Sequence, residues 1–179
     1  FYTTIDGFFV SRFVNSDALA SINIVIPVTC VVFGISVMLA TGSGALVGIK
    51  LGEKDKDGAN KLFTFITLVL LVISIIWTLI GLIFLKPLLV FLGTTESIMP
   101  YASVYGFVTV LMSLPMMFKL FFEYYARVDG NPTISLIMSS VGLILNVILD
   151  YLFIVIFKIG VLGAALGTFF SITVSAIIG

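Results

Sequence analysis

The sequence predicts an all-α, polytopic transmembrane helix bundle of about six helices, the first and last of them truncated. Three observations carry this. Hydrophobic residues make up 60% of the 179 positions and charged ones only 10%, against about 45–50% and 25% in soluble domains. The mean hydropathy is +1.28, more apolar surface than a water-soluble fold of this length can hide. Apolar runs near the roughly 20 residues needed to cross a hydrocarbon core also recur along the chain.

The elements follow in order. Residues 1–13 read as the last turns of a first helix, and Val14–Asp17 as a short polar turn. A second helix spans about 18–49, with Pro27 and the run Thr41-Gly42-Ser43-Gly44-Ala45, whose small side chains allow close helix approach in lipid. Lys50–Gly58 is the most polar stretch and belongs in water. A third helix covers about 61–85, ended by Lys86-Pro87, and Leu88–Pro100 makes an interfacial turn. The fourth covers about 101–127, broken by Pro115. Val128-Asp129-Gly130-Asn131-Pro132 has strong turn chemistry. The fifth helix covers 133–157, Lys158-Ile159-Gly160 turns the chain, and a sixth runs over 163–179. The chain starts without methionine and stops inside an apolar run, so the expectation is one fragment, 1–179, of a longer protein.

Basic residues in short loops set the expected orientation. Lys50, Lys54, Lys56, Lys61 and Arg127 lie on one side, and Arg12, Lys86 and Lys158 on the other. This puts the loops between helices 2 and 3 and between helices 4 and 5 in the cytoplasm, in a multi-pass protein of the plasma (inner) membrane.

Several chemistries are disfavoured. Net charge is zero, so no basic face addresses nucleic acid. There is no histidine and one cysteine, Cys30, which disfavours a zinc site and precludes an internal disulfide. Gly42-Ser43-Gly44 with Gly48 lacks the Gly-Lys-Ser/Thr ending of a phosphate-binding loop. No nucleophile with a base partner is visible, so an enzyme is not expected and no cofactor is implied.

The informative residues are charges inside helices, which are expensive in a bilayer. Asp150 sits in the apolar run Ile144–Ile154, and Asn146 lies four residues earlier on the same helix face. A carboxylate beside an amide can hold a proton or coordinate a cation such as Na⁺. A structural hydrogen bond is the alternative reading. Asp6 has Tyr2 one turn before it. Lys119 and Glu123, four residues apart, can form an intramembrane ion pair. Met116, Met117 and Phe121 in helix 4 could line an adaptable apolar substrate cavity, or simply pack.

Together these stretches resemble the N-terminal half of a multidrug and toxic compound extrusion (MATE) transporter. The likeness rests on Asp6-Gly7-Phe8-Phe9-Val10, Asp17-Ala18-Leu19-Ala20, Pro27 and the Gly42/Gly44/Gly48/Gly52 series. It continues with Tyr125–Pro132, Asn146-Val147-Ile148-Leu149-Asp150 and Gly160-Val161-Leu162-Gly163-Ala164-Ala165. The resemblance implies one lobe of a two-lobe, twelve-helix antiporter that exchanges H⁺ or Na⁺ for small amphipathic, often cationic, organic compounds. It implies as partners the lipid bilayer and a C-terminal lobe of the same chain. It implies coupling-cation binding by Asp6, Asn146 and Asp150, with Tyr2, Tyr105 and Thr168 added in some members. Glu123 replaces a polar amide and would put an extra carboxylate near that cluster. A lipid-linked-sugar flippase of the same superfamily and a non-transporting scaffold subunit are the alternatives.

Overall fold

The structure, a computed structural model, describes residues 2–179. It contains α1 (Tyr2–Phe13), α2 (Ser16–Gly52), α3 (Lys56–Ile83), α4 (Leu85–Phe91), α5 (Met99–Val128), α6 (Pro132–Asp150), a π-helical continuation (Tyr151–Ile156) and α7 (Val161–Ile178). Five of these are long and apolar enough to cross a membrane, α6 and its continuation counting as one. The chain is a multi-pass membrane protein. Phe1 of the first expected helix lies outside the described residues.

Local chemistry explains where the helices break. The polar stretch at 50–58 is helical on both sides of a break at Glu53–Asp55. Lys54 takes the left-handed conformation there (φ 63°). Asp55 then caps α3, its carboxylate accepting from the Gly58 N–H at 2.9 Å. The Lys50 ammonium bonds the same carboxylate at 2.9 Å, and these two contacts, lysine first, hold the Asp55 carboxyl below its ordinary range. The third helix ends at Ile83, not at Leu85. Proline disrupts the turn before it, removing its own N–H and clashing with the carbonyl four residues back. For Pro87 that carbonyl belongs to Ile83. The chain resumes as the short α4, where a turn was expected from Leu88.

α5 is the central post. Over half of its most apolar window is buried (56%), against 11% for α3. Two apolar clusters flank α5. One joins α1, α2, α4, α5 and α7 around Val10, Ile22, Leu89 and Tyr105. The other joins α2, α3 and α5 around Val32, Leu70, Met117 and Phe121.

Met117 and Phe121, expected as candidate cavity-lining residues, are fully buried in this second cluster, and Met116 packs half-buried beside it. Tyr125 is also buried. Its hydroxyl donates to Ser43 Oγ at 2.7 Å, tying α5 to the small-residue run of α2. Cys30 is exposed on α2.

Candidate functional site

Four helices converge on Asp6. The α1 carboxylate is fully buried. It accepts from the Tyr105 hydroxyl of α5 at 2.9 Å and from Thr168 Oγ1 of α7 at 2.8 and 3.0 Å. From α6, Asn146 Nδ2 donates to Thr168 Oγ1 at 2.9 Å and approaches Asp6 Oδ1 and Asp150 Oδ1, each at 3.4 Å. The four-residue spacing read from the sequence does put Asn146 and Asp150 on one face of α6. Both are fully buried.

Two features of this cluster bear on its chemistry. First, one amide approaches both carboxyls: Asn146 Nδ2 lies 3.4 Å from Asp6 Oδ1 and 3.4 Å from Asp150 Oδ1. Two buried carboxylates approached by one amide repel each other, and a proton or a cation between them relieves that repulsion. Second, Asn146 Oδ1 and Asp150 Oδ2 are buried acceptors with no partner. Buried polar atoms are nearly always satisfied, and two orphaned oxygens one turn apart can accept a positive charge. The surrounding donor set is oxygen only, which suits a hard cation or a proton.

The approach of α7 makes this possible. Gly163 lies against the backbone of Phe153, where an added Cβ would come within 3.0–3.2 Å, and a Cβ on Gly167 would strike Asp150 Oδ1. The spacing Gly163-x-x-x-Gly167 is a close-packing signal legible in the sequence and not used above. The π-helical turn starts directly after Asp150, the kind of local widening often found beside functional residues.

Glu123 does not join the cluster. It pairs with Lys119 at 2.9 Å and accepts from Ser139 of α6. The Lys119 ammonium lies 5.6 Å from the centre of the Tyr2 ring. The Tyr2 hydroxyl is buried and unbonded, and makes no hydrogen bond to Asp6. Of the seven residues expected around a cation, five therefore meet at one point. Tyr2 and Glu123 belong to a second polar group whose member Ser139 the sequence reading missed.

A family model described as MatE matches residues 1–152. The chain is 30% identical over 179 residues to the multidrug export protein MepA of Staphylococcus aureus (strain MRSA252), covering 98% of this chain and 39% of that protein. The MepA of Staphylococcus saprophyticus is 28% identical over 177 residues, with the same coverages. The chain thus spans about 39% of the length of these curated relatives. Among solved structures, a MATE crystal structure in the bent conformation superposes with a TM-score of 0.94 at 24% identity, covering 99% of this chain and 39% of that one. Outward-facing and inward-facing forms of a multidrug resistance MATE family transporter give 0.91 and 0.93, both at 24% identity. They cover 98% and 99% of this chain and 39% and 40% of theirs.

Proposed function

The chain belongs to the MatE family, and from that premise we propose that it is one lobe of a cation-coupled antiporter that exports amphipathic, often cationic, organic compounds by alternating access. The observation that carries this reading is the buried acid cluster, with two fully buried carboxyls around one amide and two acceptor oxygens left without partners. Loading H⁺ or Na⁺ between Asp6 and Asp150 relieves their mutual repulsion and favours the packing of α1 against α6 and α7. Differential affinity for the two states is the only way an ion can drive the change. The fold supports the rigid-body part of that scheme, since this lobe superposes almost equally on outward-facing and inward-facing structures. Its partner in the motion is a second lobe, and the α2–α3 and α5–α6 loops face the cytoplasm. The flippase alternative loses ground here, because Lys119, a basic residue buried within α5, is already paired with Glu123.

The test is export of a fluorescent cationic dye by the full-length protein under an imposed proton gradient and, separately, a sodium gradient. One gradient is expected to drive export, and that one names the ion. Export under neither overturns the antiporter reading.

A related expectation concerns the α6–α7 contact. Gly167→Ala puts a methyl onto the Asp150 carboxylate and is expected to weaken cation binding by roughly 10–100-fold, as loss of an orienting contact does at ion sites. Gly163→Ala meets fixed backbone instead and is expected to lower thermal stability. Cation-dependent thermal shifts of both variants check this. Unchanged cation affinity in the Gly167 variant would show that Asp150 need not hold its observed position.

A further inference from the structure

We propose that Glu123, held between Lys119 and Ser139, is a second station for the coupling cation, at the loop end of a buried polar seam that begins at Asp6 and Asp150. The proposal rests on the coupling role given above to the acid cluster.

The seam is visible on the facing surfaces of α6 and α7. α6 presents Asn146, Gly142 and Ser139 at spacings of four and three, which keep them on one stripe. α7 presents Thr168, Ser171 and Ser175 in the same way. Asn146, Ser171, Ser175 and Thr168 are all buried. Ser175 Oγ crosses to the Met138 carbonyl at 2.7 Å, so the two stripes touch. α1 closes the seam with Asp6 at one end and Tyr2 one turn nearer the α5–α6 loop. A Cβ on Gly142 would strike the Tyr2 hydroxyl, which fixes that hydroxyl inside the seam.

Glu123 lies at the loop end. Its side chain is 13% exposed and that of Lys119 10%, so both charges are largely shielded. A hydrophobic pair of similar size would fold as well or better, because burying two charges costs about as much as their attraction returns. Charges retained inside a membrane lobe call for a use. Here the geometry supplies one. Both Glu123 oxygens are engaged, by Lys119 and by Ser139. The Lys119 ammonium can swing toward the Tyr2 ring face that it already overlies. That motion uncovers the Glu123 carboxylate to an ion arriving along the seam. The Tyr2 hydroxyl, unbonded and buried between the two sites, is a free hydrogen-bonding group on the way. Tyr2 from α1, Lys119 and the Arg127 guanidinium from α5, and the uncharged Ser139 from α6 are the groups that surround it. Arg127 bonds the Glu123 carbonyl at 3.1 Å. For a proton, the ion leaves the Asp6–Asp150 pair, is taken by the Glu123 carboxylate with Lys119 turned aside, and passes to water at the loop end. Lys119 then returns.

A purely structural pair and a cation station respond differently to removal of both charges. The measurement uses the full-length protein in proteoliposomes and compares Glu123→Gln, Lys119→Met, the double variant and Asp150→Asn. Each is assayed for thermal stability, for gradient-driven dye transport, and for dye exchange at equal cation concentration on both sides. The double variant is expected to match wild type in stability. Its gradient-driven transport is expected to fall about tenfold, the effect of roughly 1.4 kcal/mol on a barrier. If the double variant restores gradient-driven transport along with stability, the pair is structural and the proposal falls. If Asp150→Asn leaves driven transport intact, the acid-cluster reading falls first and the seam loses its origin. Loss in Asp150→Asn with full recovery in the double variant sinks only the second station.

Discussion

Asp150→Asn in the full-length protein is expected to abolish cation-driven export while leaving the protein inserted and folded. The substitution keeps shape and removes one ionisable oxygen. Asp150 Oδ2 has no partner to lose, and Oδ1 faces the Asn146 amide only weakly, at 3.4 Å. The structural cost is therefore small. The functional cost is not. One cation falling through 100 mV releases roughly 2.3 kcal/mol, and a tenfold concentration ratio adds about 1.4 kcal/mol. Together these support roughly a several-hundredfold accumulation against a gradient. None of it is available if the ion no longer distinguishes the two states, since a ligand without differential affinity shifts no equilibrium. Asp6→Asn is a poorer probe. Tyr105 and Thr168 both donate to Asp6, and an amide nitrogen in place of an oxygen strands a buried hydroxyl at about 1–3 kcal/mol. Loss of activity in that variant mixes folding with coupling. Wild-type driven export by a well-inserted Asp150→Asn protein would remove the acid cluster from the mechanism.

The parts of the site that the residues themselves announced are those set by helical periodicity. Asn146 and Asp150 share a face because four residues are little more than one turn, and an apolar context makes their burial costly enough to notice. The meeting of Asp6 with Thr168, from opposite ends of the chain, has no local signature and was reachable only through the family pattern. Glu123 shows the limit of the family pattern, which put its carboxylate near the cluster. It lies eighteen residues after Tyr105, five full turns, so the two fall on one stripe of α5. They are nonetheless about 27 Å apart along the axis, too far for one carboxylate to enter the Asp6 cluster. A stripe fixes direction and says nothing about depth.

The helix ends repeat that lesson. Pro87 marked a break correctly, but its effect falls four residues earlier, at Ile83, and leaves room for α4. The polar run at 50–58 is soluble in character, yet it turns only at Glu53–Asp55, because Asp55 supplies a cap for α3 that composition alone does not reveal. The π-helical turn after Asp150 is invisible in a run as uniformly apolar as Tyr151–Ile156. Its widening depends on how closely α7 approaches through Gly163 and Gly167, a tertiary fact.

Phe121→Ala is expected to destabilise the lobe without selectively changing which compounds it exports. Phe121 is fully buried. Its ring lies 4.5 Å from that of Tyr125 and 5.9 Å from those of Phe63 and Phe122. In water such a truncation costs about 3–5 kcal/mol. In lipid part of that drops out, because separated helices keep their apolar faces in hydrocarbon. What remains is the lost packing against Phe63 and Tyr125 and the void left between α2, α3 and α5, on the order of 2 kcal/mol. Met117, equally buried in the same cluster, is expected to behave alike. Thermal unfolding in a lipid bilayer, with export profiles over several dyes, separates packing from substrate contact. A core residue lowers the unfolding temperature and reduces every dye in proportion to the protein that remains folded. A cavity-lining residue leaves stability alone and reorders the dyes. The second pattern would return Phe121 to the substrate path and would require that α2 and α3 part from α5 during transport, a motion that the packing at Ser43–Tyr125 resists.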